Sequence, residues 1–182
     1  MFSVVTGGSG SGKSAYAEQL VLEAGERKRY YIATMQCFDK ETEARILRHR
    51  SMRARKKFET IECPMDLEQV RIEPGSTVLL ECMSNLTANE FFRTDLNISS
   101  VKKEAEVRER ILRGICKLQR KAAHLIVVTN EVFSDGILYD AETMQYLSCL
   151  GSINCAMAKL ADQVTEVVYG IPLIRKKEGE TL

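Results

Sequence analysis

The chain has 182 residues and a formal net charge of +1, with 45% hydrophobic and 28% charged residues. These values are typical of one globular domain spanning residues 1–182, and they exclude a disordered, collagen-like or disulfide-knotted chain. No apolar run approaches the roughly 18 residues that cross a bilayer, the N-terminus lacks the basic start of a secretory signal, and the near-zero charge does not point to nucleic acid. We therefore expect a cytoplasmic protein.

Strands and helices alternate along the chain. The first half predicts a buried strand at Phe2–Thr6, a helix at 14–24, a strand at 30–33, a long polar helix at 39–57 and a short strand at Phe58–Glu62. The second half predicts a buried strand at 76–82, an amphipathic helix at 101–122, a buried strand at 124–129, a helix at 141–161 and two strands at 164–169 and 171–175. Residues 95–100 are the best candidate for a mobile loop. The alternation predicts an α/β fold with a mainly parallel sheet and helices on both faces.

A glycine-rich motif lies between the first strand and the first helix. It matches the GxxxxGK[ST] pattern of phosphate-binding loops and consists of Gly7, Gly8, Ser9, Gly10, Ser11, Gly12, Lys13 and Ser14. Glycines let backbone N–H groups close around a phosphate, and the helix N-terminus adds partial positive charge. We expect Lys13 to reach the β- and γ-phosphates and the Ser14 hydroxyl to ligate Mg²⁺. The motif therefore predicts a P-loop that binds nucleotide.

An acidic residue closes the buried strand at 76–82. P-loop proteins usually place an acid at the end of a neighbouring strand to organise the magnesium ion, and Glu81 is the natural candidate. The alternative is a solvent-exposed acid at a strand end. The motif and its context favour the magnesium ligand.

A basic segment follows the second strand. Residues 45–57 hold seven arginines or lysines and no acid, and Arg45, His49, Arg53 and Lys56 would share one helical face. Neighbouring cations favour the neutral, nucleophilic imidazole at pH 7. Two interpretations are open. Either His49 attacks a nucleotide phosphorus and carries the product covalently, or the segment is a solvated helix or a phosphate clamp with an incidental histidine. Spacing alone favours the second interpretation, a solvated helix or a phosphate clamp.

The other histidine and the cysteines form no recognisable site. His124 precedes a buried strand and is better interpreted as a satisfied core or strand-edge residue. The six cysteines show neither a CxxC pair nor zinc-like spacing. In a reducing compartment they are predicted to be small buried hydrophobic residues or bystanders.

Several motifs occur in an order that resembles one enzyme family. After the P-loop they are, in chain order, Tyr31-Ile32-Ala33-Thr34, Arg45-Ile46-x-x-His49-Arg50-x-x-Arg53, Leu79-Leu80-Glu81-Cys82, Val128-Thr129-Asn130-Glu131-Val132 and Gly170-Ile171-Pro172. Over nearly the whole chain, this combination resembles the bifunctional adenosylcobinamide kinase/adenosylcobinamide-phosphate guanylyltransferases of cobalamin biosynthesis.

The resemblance implies two reactions. Such enzymes phosphorylate the aminopropanol hydroxyl of adenosylcobinamide with ATP or GTP, and then transfer GMP from GTP to that phosphate, which gives adenosylcobinamide-GDP and pyrophosphate. His49 matches the histidine that carries GMP, which reverses the preference drawn from spacing. His49 and Lys13 are therefore the expected catalytic residues. The implied cofactors are GTP, ATP and Mg²⁺, and the implied partner is the corrinoid substrate.

The resemblance also implies the fold, the assembly and the nucleotide's surroundings. The family fold is a RecA-like P-loop domain that assembles as a homotrimer with sites between subunits. Matched residue by residue, the nucleotide site is lined, in addition to Gly7 through Ser14, by Thr34, Met35, Gln36, Arg53, Glu62 and Glu81. Ser14 and Glu81 are the expected metal ligands.

The sequence departs from the family pattern in its C-terminal half. Residues 133–139 stand where Gly-x-Gly-Ile-Val-Pro is expected, Tyr146-Leu147-Ser148 where Phe-Arg-Asp is expected, and Asn154-Cys155 where Asn-Gln is expected. The changed positions would contact corrinoid or a neighbouring subunit. Two alternatives therefore stay open: a P-loop kinase for another small molecule, in which His49 only clamps phosphate, and a nucleotide-binding regulatory module without chemistry.

Overall fold

The computed structural model of the chain describes residues 1–36, 56–95 and 102–179. The strands in these ranges are β1 (Phe2–Thr6), β2 (Arg29–Ala33), β3 (Phe58–Glu62), β4 (Thr77–Glu81), β5 (His124–Val128), β6 (Gln163–Val168) and β7 (Ile171–Lys177). The helices are α1 (Lys13–Glu23), α2 (Met83–Phe91), α3 (Lys103–Lys121) and α4 (Ala141–Leu160), with a 3₁₀ turn at Leu67–Gln69. None of the helices in these ranges has the length and apolar character needed to cross a membrane.

The strands of the described ranges form one seven-stranded sheet in the order β3-β2-β4-β5-β1-β6-β7. All neighbours are parallel except β6 and β7, which form an antiparallel hairpin. The carboxyl ends of the parallel strands share one edge, which is where ligands bind in open α/β sheets. The predicted α/β fold with a mainly parallel sheet is confirmed.

Two hydrophobic cores cover opposite faces of the sheet, because successive side chains of a strand point in opposite directions. Ile32 and Leu80 belong to the larger core, which also contains residues of α2, α3 and α4. Tyr31 and Leu79 belong to the second core, which includes Val21 of α1. Burial of each aliphatic side chain, such as Ile32 or Leu80, contributes roughly 1.5–3 kcal/mol to the free energy of folding. Helices therefore cover both faces, as predicted.

The main difference from the predicted elements is α2. Its nine residues include serine, threonine and two asparagines, which favour caps and turns over helix interiors. The helix is stabilised by tertiary contacts instead, since Leu86 and Phe91 are buried in the larger core. The observed bounds of the other predicted elements in the described ranges differ from the predictions by at most two residues. The predicted helix at 39–57, apart from Lys56 and Lys57, and the candidate loop at 95–100, apart from Asp95, lie outside the described residues.

Candidate nucleotide-binding site

The glycine-rich motif forms the loop between the carboxyl end of β1 and the start of α1. Within the loop, the backbone N–H of Ser11 donates to Gly8 O at 3.3 Å. Two neighbouring segments hold the loop from outside: the N–H of Glu131 donates to Gly7 O at 3.1 Å, and the N–H of Gly170 donates to Ser11 O at 2.8 Å. The loop is therefore fixed by the segment that follows β5 and by the hairpin β6–β7.

Two glycines of the loop are required by close backbone contacts. Gly7 has a φ of 157°, and a Cβ placed on it would lie 2.5 Å from the carbonyl oxygen of Val167. Gly12 is in the left-handed region with a φ of 92°, and a Cβ there would lie 3.3 Å from Gly170 Cα. At Gly8, by contrast, a Cβ would meet none of the described atoms within 4 Å. The two constrained glycines let the loop pack directly against β6 and the hairpin turn.

The start of α1 is open to an anion. Gly12 is its N-cap without a side-chain cap from the described residues, and the first turn holds no acid. Its backbone N–H groups and the helix dipole therefore favour a negative charge at this end. Lys13 adds a cation, because its Nζ lies 3.1 Å from Gly8 O, over the loop. This arrangement suits the phosphates of a nucleotide.

Ser14 and Glu81, the two predicted magnesium ligands, lie in contact. The Ser14 hydroxyl donates a hydrogen bond to Glu81 Oε1, and the Tyr31 hydroxyl donates to Glu81 Oε2 at 2.7 Å. Hydroxyl and carboxylate oxygens suit Mg²⁺, which usually keeps several waters and binds substrate phosphates. In the part of the chain that the structure describes, no group of three or more His, Cys, Asp or Glu residues could hold a metal. Ser14 and Glu81 offer one hydroxyl and one carboxylate group to such an ion.

Tyr31 is a site neighbour to which the sequence analysis assigns no role. It lies two residues before the end of β2, on the same face of the sheet as α1. The sequence could have indicated this position, because side chains of a strand alternate between the two faces of a sheet and Tyr31 therefore shares a face with Ala33. The hydrogen bond from its hydroxyl holds one oxygen of Glu81 and leaves the other directed at Ser14.

Thr34, Met35 and Gln36 follow the carboxyl end of β2. Thr34 is fully buried, and its Oγ1 accepts from the N–H of Cys82 at 2.8 Å and donates to Cys82 O at 2.9 Å. Asn89 Nδ2 donates to Thr34 O at 2.8 Å. Thr34 therefore joins the ends of β2 and β4 below the site, whereas Met35 and Gln36 are partly exposed. Their contact with nucleotide stays a prediction.

Glu62 lies in the same row of the sheet as Glu81. Ala33 of β2 pairs with Glu62 on one side and with Glu81 on the other. Glu62 is exposed at the carboxyl end of the edge strand β3. The structure thus brings it to the correct edge, two strands from Glu81, and its role toward the nucleotide stays a prediction.

His49 and Arg53 lie outside the described residues. The chain re-enters the described structure at Lys56, whose Nζ forms an ion pair with Glu18 of α1. The carbonyl of Lys56 accepts a hydrogen bond from Arg29 Nη1 at 3.2 Å. The basic segment is therefore anchored at its C-terminal end to the helix that follows the P-loop.

Two polar side chains of α4 make defined hydrogen bonds: Tyr146, at a position that departs from the family pattern, and Asn154, at a position that matches it. The Tyr146 hydroxyl donates to Ser84 O at 3.2 Å, and burial raises its pKa to about 12. Asn154 Oδ1 accepts from the hydroxyl of the buried Thr129 at 2.8 Å. Asn130, which follows β5, donates from Nδ2 to Ser84 Oγ at 2.7 Å. These bonds connect α4 to the segments that follow β4 and β5.

An apolar surface cavity adjoins the segment after β5. Its volume is about 380 Å³, and its lining includes Phe133, Ile137, Tyr139, Met144 and Leu147. Several of these side chains are exposed, although they are apolar. The cavity lies in the region where the sequence departs from the family pattern.

Comparison with known proteins identifies the family to which this chain belongs. Residues 3–174 match the family model described as "Cobinamide kinase / cobinamide phosphate guanyltransferase". The "Bifunctional adenosylcobalamin biosynthesis protein CobU" of Salmonella typhimurium is 32% identical over 181 residues, which cover 94% of this chain and 97% of that protein. The protein of the same name from Escherichia coli is 32% identical, with 94% and 97% covered. "CobP" from Pseudomonas aeruginosa, also named a bifunctional adenosylcobalamin biosynthesis protein, is 30% identical, with 98% and 99% covered.

A solved structure shares the architecture. The crystal structure of flagellar accessory protein FlaH from Methanocaldococcus jannaschii superposes with a TM-score of 0.50 at 12% identity, covering 97% of this chain and 78% of that chain. At this identity the similarity concerns the fold alone. Together with the strand order and the loop after β1, it identifies the fold as the RecA-like type of P-loop domain.

Proposed function

The chain belongs to the cobinamide kinase and cobinamide phosphate guanyltransferase family, and from this membership we propose that it acts twice in adenosylcobalamin biosynthesis. It first phosphorylates adenosylcobinamide with ATP or GTP. It then transfers GMP from GTP to adenosylcobinamide phosphate through a GMP–His49 intermediate. The chain is an enzyme with kinase and guanylyltransferase activity, like the curated relatives that it matches over at least 94% of its length.

The observation that carries the proposal is the contact between Ser14 and Glu81 beside the P-loop. In the kinase step, the acceptor hydroxyl oxygen attacks the γ-phosphorus, the bond to the β–γ bridging oxygen breaks, and the hydroxyl proton leaves to solvent. Lys13 and the N–H groups of α1 hold the phosphates and stabilise the charge that moves onto the nucleoside diphosphate. When bound by Ser14 and Glu81, Mg²⁺ would supply further charge neutralisation.

In the guanylyl step, an imidazole nitrogen of His49 attacks the α-phosphorus of GTP. A P–N bond forms, the bond to the α–β bridging oxygen breaks, and pyrophosphate leaves. A phosphate oxygen of adenosylcobinamide phosphate then attacks the same phosphorus, the P–N bond breaks, and the imidazole is regenerated. The covalent step replaces one displacement between two anions by two displacements, the first of which uses an uncharged nucleophile.

The anchored end of the basic segment supports a role for His49. Lys56 is paired with Glu18, which lies five residues along α1 from Lys13, or about 7.5 Å at 1.5 Å per residue. His49 precedes Lys56 by seven residues. Seven residues span at most about 25 Å, so the chain length allows His49 to reach a phosphate held by the P-loop.

Labelling with GTP tests the guanylyl step. The protein is incubated with Mg²⁺ and GTP labelled on the α-phosphate, or in parallel on the γ-phosphate, and the acid and base stability of protein-bound label is measured. We expect α-label alone to be retained, in an acid-labile and base-stable form typical of a phosphoramidate. His49→Ala should lose the label. His124→Ala is the matched control, because His124 is the other of the two histidines and lies at the start of β5.

The labelling outcomes separate the two reactions. Retention of α-label in His49→Ala would show that another residue carries GMP. If wild-type protein retains no α-label but phosphorylates adenosylcobinamide, the covalent guanylyl mechanism fails and the kinase step stands. If neither reaction occurs with adenosylcobinamide, while another acceptor is phosphorylated, the chain is a kinase for a different small molecule.

We also propose a homotrimer that works in the cytoplasm. Support for subunit contacts comes from apolar side chains that the described residues leave exposed on β7 and after β5, including Ile171, Ile174 and Leu138.

Support for a reducing compartment comes from the five cysteines of the described ranges, all of which are free thiols. Light scattering on the purified protein tests the assembly, and a monomer mass would contradict it.

A further inference from the structure

Strand β5 separates the strand that carries the P-loop from the strand that ends in Glu81. It lies between β1 and β4 in the sheet, and its last residue, Val128, pairs with Val5 on one side and with Glu81 on the other. The carboxyl ends of these three parallel strands are therefore level. The segment that follows β5 leaves the sheet between the phosphate loop and the predicted metal ligand.

Asn130 is the second residue after β5, and the residues on both sides of it are held by β1 and the P-loop. The N–H of Thr129 donates to Val5 O at 2.9 Å. The N–H of Glu131 donates to Gly7 O at 3.1 Å. The backbone of Asn130 is therefore fixed beside the first residue of the phosphate loop.

Two contacts define the direction of the Asn130 side chain. Its Nδ2 donates to Ser84 Oγ at 2.7 Å and lies 3.9 Å from Cys82 Sγ. Both of these residues lie within three positions after Glu81, where β4 ends and α2 begins. The amide thus extends from the end of β5 toward the end of β4, across the opening between the P-loop and Glu81.

The amide has hydrogen-bonding capacity that the described residues do not fully use. Nδ2 carries two hydrogens, and the bond to Ser84 Oγ occupies one of them. A thiol is a weak acceptor, so the contact with Cys82 Sγ at 3.9 Å satisfies the second hydrogen poorly. Asn130 is also partly exposed. An anionic oxygen that enters the opening is a stronger acceptor than the thiol.

The anionic oxygen expected in this opening belongs to the terminal phosphate. In P-loop proteins the metal ion bridges the β- and γ-phosphates, and Ser14 and Glu81 are the proposed ligands of that ion. Lys13 adds its charge over the loop. The γ-phosphate of a nucleotide held in this way lies on the Glu81 side of the loop, which is the direction in which the Asn130 amide extends.

We propose that the side-chain amide of Asn130 donates a hydrogen bond to the terminal phosphate of the nucleotide held by the P-loop, so that the site distinguishes a nucleoside triphosphate from a diphosphate. The inference rests on the nucleotide site of the proposed function. Ser84 is a positioning residue, because its hydrogen bond directs the amide toward the opening. Transfer of the terminal phosphate removes this contact and favours release of the nucleoside diphosphate that the kinase step leaves.

The binding of two nucleotides that differ only in the terminal phosphate tests the proposal. Isothermal titration calorimetry with Mg²⁺ and the α,β-methylene analogues of GTP and GDP avoids guanylyl transfer and gives the ratio of their affinities. Asn130→Ala removes the amide. Asn130→Asp replaces it by a carboxylate of the same shape, which still accepts from the Ser84 hydroxyl. Gln163→Glu is the matched control, because it makes the same amide-to-carboxylate change at the amino end of β6, on the opposite edge of the sheet.

We expect Asn130→Ala to weaken the GTP analogue about tenfold and the GDP analogue less than about twofold, because one hydrogen bond to a charged group is lost. Asn130→Asp should weaken the GTP analogue about a hundredfold and the GDP analogue no more than about tenfold, since a carboxylate repels the terminal phosphate. Ser84→Ala should weaken the GTP analogue alone, by about threefold. Gln163→Glu should bind both analogues like wild type, and urea denaturation should show that each variant is folded.

An unchanged ratio of affinities in Asn130→Ala and Asn130→Asp would overturn the proposal and leave the nucleotide site intact. Equal losses for both analogues would assign Asn130 to support of the loop and not to the terminal phosphate. Equal effects of Gln163→Glu and Asn130→Asp would attribute the loss to net charge and not to contact. Failure of wild type to bind either analogue would overturn both this inference and the nucleotide site on which it rests.

Discussion

The Ser14 hydroxyl donates a hydrogen bond to Glu81, although 67 residues separate them in the chain. The parallel register explains the contact, since Val128 of β5 pairs with Glu81 of β4 and with Val5 of β1. The end of β4 is therefore level with the start of the P-loop, and the helix after the loop brings Ser14 to the carboxylate.

The proposal that Glu81 binds Mg²⁺ predicts that Glu81→Gln slows phosphorylation of adenosylcobinamide by about a hundredfold or more, because the loss of a metal ligand removes several kcal/mol of charge stabilisation. Initial rates measured against Mg²⁺ concentration provide the test. Glu23→Gln, at the exposed far end of α1, is the control and should keep the wild-type rate. A rate for Glu81→Gln within about threefold of wild type would contradict the assignment.

Gly7→Ala should lower the free energy of unfolding by more than about 1 kcal/mol, since the new Cβ would lie 2.5 Å from Val167 O. Gly8→Ala should change it by no more than about 0.5 kcal/mol, because its Cβ meets none of the described atoms within 4 Å. Urea denaturation of both variants provides the comparison. Equal effects would show that the contact with β6 does not constrain the loop.

Thr34→Val should destabilise the protein by about 1–3 kcal/mol, because it leaves the backbone N–H and C=O of Cys82 without the Thr34 hydroxyl. Thr34→Ser should retain most of the stability. Denaturation and nucleotide binding are measured separately on each variant. A loss of binding in Thr34→Val without a loss of stability would instead support direct contact between Thr34 and the nucleotide.

Glu90→Ala should destabilise the protein by about 3–5 kcal/mol, because the Glu90 side chain is 1% exposed and accepts hydrogen bonds from Arg93 and from the N–H of Asp66. Asp95→Asn removes another partner of Arg93, but Asp95 is 61% exposed, and the expected change is below about 1 kcal/mol. The free energy of unfolding from urea titrations distinguishes the two. Similar losses would argue against the buried pair.

Acid should destabilise the fold partly through His124. Burial, together with the N-terminal ammonium and Arg27, lowers the pKa of His124 below 6.5. Below pH 6.5 the unfolded chain therefore takes up a proton that the folded chain still rejects, and the free energy of unfolding decreases until the folded-state pKa is reached. Urea midpoints at several pH values between 7.5 and 5.5 should decline less in His124→Asn than in wild type. Parallel pH profiles would contradict this contribution.

The features of the site that could be predicted are those encoded in contiguous residues. A β-branched strand, a run of glycines, Lys13 and the helix after Ser14 are local, because their geometry depends on neighbours in the sequence. The alternation of buried strands and helices likewise predicted the mainly parallel sheet. Glu81 could be proposed as a magnesium ligand because it ends a buried strand, although the spacing of residues could not say how close it lies to Ser14.

The contacts that only the tertiary structure reveals depend on strand order and on side chains far apart in the chain. The hydrogen bond from Tyr31 to Glu81, the attachment of Thr34 to Cys82 and the seating of Gly170 on Ser11 all join segments whose adjacency the sequence pattern does not encode. Helix α2 belongs to the same class, since poor local helix formers are held by burial in a shared core. Local propensity acts over a few residues, whereas these contacts form only after the hydrophobic effect has brought distant strands into register.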